Sequence, residues 1–120
     1  MRTDDPDAAR REMDVNYFGV LNMTRAFAPV LGANGGGCIA NGGGYIANVL
    51  SVAGAFPAPF MGGYSPAKAA ALFLSSITRS ELADQGTEVI ALIVGSVDAT
   101  DREHGASGQG ELCHTLIRFV

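Results

Sequence analysis

The chain reads as a piece of an α/β layered fold, with helix, strand, helix and strand in turn. One long stretch carries apolar residues at three- and four-residue spacing, a second is bounded by helix start and stop signals, and two short apolar runs of strand length alternate with them. The second run, TEVIALIV at 87–94, is almost unbroken. Strands buried on both faces read this way, so the pattern predicts a parallel sheet covered by helices.

Residues 6–31 predict the first helix. Thr3, Asp4 and Asp5 offer caps, Pro6 suits the first turn, and acidic residues gather where the helix dipole favours them. Met13, Tyr17, Val20, Leu21, Thr24, Phe27 and Leu31 form its apolar stripe. Gly19 inside it costs about 1 kcal/mol against alanine, and Pro29 disturbs the last turn.

A tandem phrase follows, NGGGCIA and then NGGGYIA, at residues 34–47. A phosphate-cradling glycine loop leaves a strand and opens a helix, because the helix N-terminus supplies the amides. This one leaves a helix and enters a strand, and it lacks both G-x-G-x-x-G and G-x-x-x-x-G-K-[ST] spacing. It therefore reads as a flexible αβ connection, doubled by a short insertion that loops absorb at little entropic cost. The strand it enters is YIANVLSV, residues 45–52. AGAFPAPFMGG is a loop by its Pro and Gly content. The second helix runs from about Ser65 to Gln85, with Pro66 in its first turn and Gly86 just past its end. After the strand at 87–94 the pattern loosens, and ELCHTLIRFV fits a short helix or a strand equally.

Composition excludes several functions. The 120 residues suffice for one core; 48% are apolar, 17% are charged, and the net charge is −4. No Lys/Arg block invites nucleic acid or an anionic membrane, and no apolar run approaches the roughly 18 residues of a bilayer span. The start, MRTDDPDAARRE, has no apolar signal region. Cys38 and Cys113 follow no metal or redox spacing and read as free thiols in a reducing cytoplasm; no metal site is expected.

The chemistry concentrates in YSPAK, Tyr64 to Lys68. Residues four apart on a helix share a face. A free tyrosine has a pKa of about 10, and a neighbouring ammonium favours its phenolate. The pair is a candidate general acid/base. Ser51 stands at the end of a predicted strand, where ligands sit in open parallel sheets. Asn16 lies inside the first helix, where asparagine is a mediocre helix former. It can bond within its own helix or serve another purpose. The loop VGSVDAT follows the second strand.

Together NYFG at 16–19, Ser51 and YSPAK at 64–68 resemble the classical short-chain dehydrogenases/reductases over about residues 5–101. The resemblance implies a partial Rossmann-like fold, a doubly wound parallel sheet truncated at the N-terminus. Residues 1–101 would be that partial domain and 102–120 an atypical tail. Tyr64 would be the acid/base, and Ser51 would hydrogen-bond the reacting oxygen of an alcohol or carbonyl substrate. Lys68 would hold the nicotinamide ribose and lower the pKa of Tyr64, while Asn16 would hold a water in the proton relay. Gly95 and Val97 would join Tyr64 and Lys68 in binding NAD or NADP, which carries the hydride.

The family's T-G-x-x-x-G-x-G loop, its N-N-A-G strand and the position that separates NAD from NADP are absent. Its P-G-x-V-x-T motif appears as VGSVDA at 94–99, with Thr100 one place late. Asn16 and Ser51 are 35 residues apart, and removing one seven-residue copy restores a more typical interval. With half a sheet, a marginal or aggregation-prone monomer is expected. The resemblance also implies a homodimer through the two long helices, where Ala67, Ala70 and Ala71 are small. The competing readings are a non-catalytic remnant or dimerising module, and a serine hydrolase built on Ser51, His104 and Asp98. Against the hydrolase, VLSVA is not a G-x-S-x-G elbow. Phe56, Phe60 and Met61 would give the site an apolar wall suited to a lipophilic substrate.

Overall fold

The computed structural model describes residues 5–34 and 44–95, and the backbone of 117–118. Most of the glycine repeat, Cys38, Cys113 and the tail region apart from that pair lie outside the described residues.

The first helix begins where the sequence places it. The Asp5 carboxylate accepts the N–H groups of Asp7 (3.1 Å) and Ala8 (3.0 Å), satisfying two donors that no helical turn can reach. Helix α1 covers Pro6–Met13 and α2 covers Gly19–Ala33, joined without a break by a π-helical turn, Asp14–Phe18. There the Gly19 N–H bonds the carbonyl of Asp14, five residues back. Past the turn the predicted stripe holds at Val20, Leu21, Thr24 and Leu31, which are buried or half-buried, and is corrected at Phe27, which is 51% exposed while its neighbour Ala28 is buried. Pro29 does not end the helix, which continues to Ala33.

Strand β1 is Tyr45–Ser51, and β2 is Glu88–Val94. They pair in parallel, Tyr45 opposite Glu88 and Ser51 opposite Val94. β3, Ile117–Arg118, joins the other side of β2 in antiparallel direction, so these two residues of the ambiguous tail run are strand. Between β1 and β2 lies α4, Tyr64–Glu81; its following turn closes at Gly86, whose φ is +73° and so suits glycine. The expected helix to Gln85 is thus shorter by a turn.

Leu50 of β1, Ala71 of α4 and Ala91 of β2 form the core, with Val20 and Leu72 packed on it. Val89, Ala91 and Ile93 are buried, whereas Ile90, Leu92 and Val94 on the opposite face are half-buried. The unbroken apolar run predicted two buried faces, and only one is fully covered. Ala67 and Ala71 are fully buried, so they hold α4 close to its own neighbours inside the chain. This corrects their expected place on an outer dimer face. The polar group on the inner face of β1 is satisfied: Asn48 Nδ2 donates to Ser75 Oγ (2.9 Å), which donates to the Ala71 carbonyl (2.8 Å).

Two contacts seat α2. Val20 touches the core, and Gln85 Nε2 donates to the Ala28 carbonyl (2.9 Å) and to Thr87 Oγ1 (2.8 Å). Among the described residues no helix is long and apolar enough to cross a membrane.

Candidate active site

The register of the parallel pair decides where the site lies. Ser51 ends β1 opposite Val94, so Gly95 follows at the same end of the sheet. The chain then turns sharply. Ser51 Oγ accepts the Ala53 N–H (3.2 Å) and caps a single helical turn, α3, Val52–Ala55. The Pro- and Gly-rich segment predicts only a loop here; the capped turn is invisible to composition because one serine nucleates it.

Gly54 lets this turn lie against the helix that follows. A Cβ on Gly54 would stand 2.7 Å from the Lys68 carbonyl carbon, so no larger residue fits without backbone movement. Ser65 completes the clamp. It is buried, its hydroxyl donates to the Ala53 carbonyl, and it accepts the Ala58 N–H at 3.4 Å. Sequence reasoning missed both residues. Their signals were available: a glycine three places after the strand-end serine, and a hydroxyl directly after the tyrosine.

Ser51, Tyr64 and Gly95 line one cavity of about 450 Å³, together with Phe56 and Met61. Phe60, expected on that wall, is 87% exposed with φ +66° and is not among the lining residues. Tyr64 opens α4, and Lys68 stands one turn along it. The Lys68 ammonium lies 5.7 Å from the Tyr64 ring centroid, within cation–π range, and donates to the Val49 carbonyl (3.2 Å). The structure therefore gathers three of the candidate residues in one cavity, with the fourth, Lys68, against the ring of Tyr64. Asn16 sits in the π-helical turn, where its amide nitrogen donates to the Glu12 carbonyl (3.1 Å) and carboxylate (2.9 Å). Val97 lies outside the described residues, as do Asp98 and His104.

The geometry has a chemical reading. Ser51 Oγ already accepts one hydrogen bond, which leaves its own proton free to donate. A phenol on the same cavity wall offers a second donor or an acceptor. Two such groups suit one small oxygen atom. Among the described residues no group of three or more His, Cys, Asp or Glu side chains could hold a metal ion.

A family model described as short chain dehydrogenase matches residues 1–109. The chain belongs to the short-chain dehydrogenase family. A short-chain dehydrogenase from Burkholderia cenocepacia, solved in complex with NADP, is similar at 45% identity and a TM-score of 0.70, over 82% of this chain and 38% of that one. Among curated relatives, rat estradiol 17-beta-dehydrogenase 2 is 32% identical over 101 residues, covering 78% of this chain and 24% of the relative. The NADPH-dependent 1-acyldihydroxyacetone phosphate reductase of Schizosaccharomyces pombe is 34% identical over 93 residues, covering 78% and 29%. The chain thus spans between about a quarter and two fifths of the length of these proteins. Its parallel β1–β2 pair with α2 and α4 is a partial Rossmann-like domain, as the resemblance implied.

Proposed function

We propose that this chain carries the catalytic face of an NAD(P)-dependent oxidoreductase that interconverts an alcohol and a carbonyl. One observation carries the reading: Ser51, Tyr64 and Gly95 share a cavity, with the Lys68 ammonium beside the Tyr64 ring. In this reading Tyr64 gives its phenolic proton to the carbonyl oxygen, or takes one from the alcohol. Ser51 donates a hydrogen bond to that same oxygen, and Lys68 places positive charge where negative charge develops. Asn16 holds a water of the proton relay. Its amide nitrogen is engaged by Glu12, so its oxygen atoms are what remain for that water.

An ammonium and a phenol one turn apart match the paired hydroxyls of a ribose, so Tyr64 and Lys68 fit the nicotinamide end of a dinucleotide, with Gly95 and Val97 beside them. The bound dinucleotide would supply or accept the hydride. NADP in the Burkholderia neighbour makes NADP the first cofactor to test, with NAD second. Phe56 and Met61 give the cavity an apolar wall, and estradiol in the name of the rat relative agrees with a lipophilic substrate.

A homodimer through the two long helices belongs to the same proposal. Its contacts would come from Phe73 (72% exposed) and Ile77 (54%), one turn apart on α4, rather than from Ala67 and Ala71. The same stripe is what favours the second reading, a dimerising module without activity. Titration of NADPH fluorescence with the protein separates the two. Saturable binding that Lys68→Ala weakens supports the enzyme. No binding at millimolar protein, with a dimer in sedimentation that Phe73→Ser abolishes, supports the module.

A further inference from the structure

We propose that the cavity at Ser51 and Tyr64 continues past Phe56 and Met61 into a second cavity, and that this second cavity takes the apolar tail of an elongated alcohol or carbonyl substrate such as a long-chain methyl ketone. The inference rests on the catalytic reading of Ser51 and Tyr64. The second cavity encloses about 370 Å³ and lies against Gly54, Ala55 and Gly62 and against Ser65, Pro66 and Ala69 of α4. Five residues line both cavities: Ala53, Phe56, Pro57, Ala58 and Met61. The Ser65 hydroxyl is already held by the Ala53 carbonyl and the Ala58 N–H. Among the described residues the second wall therefore offers carbon contacts and no free hydrogen-bonding side chain. An occupant of this cavity is apolar.

Helix α4 serves the two cavities with adjacent strips. Tyr64 and Lys68 are four residues apart and share a face. Ser65 and Ala69 are likewise four apart, and their strip lies about 100° further round the helix. Tyr64 lines the first cavity, whereas Ser65 and Ala69 line the second. A ligand whose oxygen sits at Ser51 and Tyr64, and whose body crosses α4, next meets the strip of Ser65 and Ala69.

The partition between the cavities has one fixed post and one free leaf. Met61 is the post: its N–H donates to the Ala58 carbonyl (3.3 Å), and its carbonyl accepts the Ser65 N–H (2.9 Å). The first of these bonds closes a turn over residues 58–61, with Pro59 second and Phe60, at φ +66°, third. Turns with a positive φ there take glycine or asparagine. A phenylalanine held there is strained, and such strain gathers at ligand clamps and switch regions. Phe56 is the leaf: its side chain is 66% exposed, and exposed side chains change rotamer readily. Turning it aside joins the two cavities. A tail laid across Phe56 and Met61 buries apolar surface that the loop leaves open.

The test follows the amide resonances of the isotope-labelled protein, with NADP present, during titration with methyl ketones of six, eight, ten and twelve carbons. Every member should shift Ser51 and Gly95, and only the longer ones should add Gly62 and Ala69. Affinity should rise by roughly fourfold for each further methylene buried. Ala55 and Ala69 line the second cavity alone, one on the loop side and one on α4. Ala69→Phe and Ala55→Phe should each weaken the twelve-carbon ketone at least tenfold and leave the six-carbon ketone within twofold. Should one variant fail to fold, the other gives the same reading. Affinity that does not depend on length overturns the proposal, as does a twelve-carbon ketone that leaves Gly62 and Ala69 unmoved or binds both variants as tightly as the parent. Shifts at Gly62 and Ala69 without Ser51 and Gly95 would make the second cavity a separate site and overturn it too. If the six-carbon ketone moves Ser51 and Gly95 and the longer ones add nothing, the catalytic reading survives and this one fails. No shift at Ser51 or Gly95 with any ketone removes both.

Discussion

Gly54 rests on the backbone of Lys68: a methyl group in place of its hydrogen would stand 2.7 Å from the Lys68 carbonyl carbon and 2.9 Å from its oxygen. The atoms in the way are the Lys68 carbonyl group and its Cβ, held in the second turn of α4, and cannot step aside as a side-chain tip would. Gly54→Ala should therefore push α3 off α4 and destabilise the fold by about 1–3 kcal/mol, the usual cost of overpacking. Urea denaturation measures it. An unchanged midpoint would show that α3 and α4 do not meet as described. Gly95 is the contrast, because a Cβ there meets nothing within 4 Å. Gly95→Ala should leave stability within about 0.5 kcal/mol and act, if at all, on cofactor binding.

Ser65 holds the other end of the same contact. Its hydroxyl serves the Ala53 carbonyl and the Ala58 N–H, and it is buried among them. Ser65→Ala leaves these backbone groups without their partner, at a cost of about 1–3 kcal/mol. Because Ala53 and Ala58 line the cavity, the loss should be local. Hydrogen exchange should quicken across residues 53–58 and stay slow in β2. Uniform quickening over the sheet would place the role of Ser65 in global stability instead.

What the sequence disclosed followed from how local each signal is. The start of α1 was legible because Asp5 and Pro6 act within one turn, and the strands were legible because their apolar runs are short and dense. The inward face of α2 was legible at Val20, Leu21, Thr24 and Leu31 but not at Phe27, where Ala28 is the buried residue; nothing in the letters DVNYF marks the π-helical turn that precedes it. The place of Ala67 and Ala71 was misread because small residues serve a dimer face and a tight internal contact equally well; only the three-dimensional neighbours decide. The cavity of Ser51, Tyr64 and Gly95 was legible through strand-end position plus helical spacing. Gly54 and Ser65, which shape it, were hidden because their partners are backbone groups, and backbone carries no sequence letter.

Gly19 offers a substitution in the stabilising direction. It sits in the helical run with φ −59°, and a Cβ there would meet the Asp14 carbonyl oxygen at 3.7 Å, an ordinary contact. Alanine at this position limits the unfolded chain without crowding the folded one. Gly19→Ala should raise stability by about 0.5–1 kcal/mol, read as a higher thermal midpoint. A lower midpoint would mean that the π-helical turn before it cannot hold its geometry beside a side chain.

Tyr64→Phe isolates the chemistry from the fold. The ring stays, so the Lys68 ammonium keeps its place over it, and only the hydroxyl leaves. Among the described residues no helix cap or core contact uses that hydroxyl, and stability should hold within about 0.5 kcal/mol. Loss of a general acid/base lowers turnover by roughly a hundred- to ten-thousand-fold. The measurement is the change in NADPH absorbance with a lipophilic ketone, on the protein joined to the rest of the domain. Binding of NADPH should survive, because Lys68 and Gly95 are untouched. Turnover retained in Tyr64→Phe would remove the phenol from the reaction and leave Ser51 as the donor to the reacting oxygen.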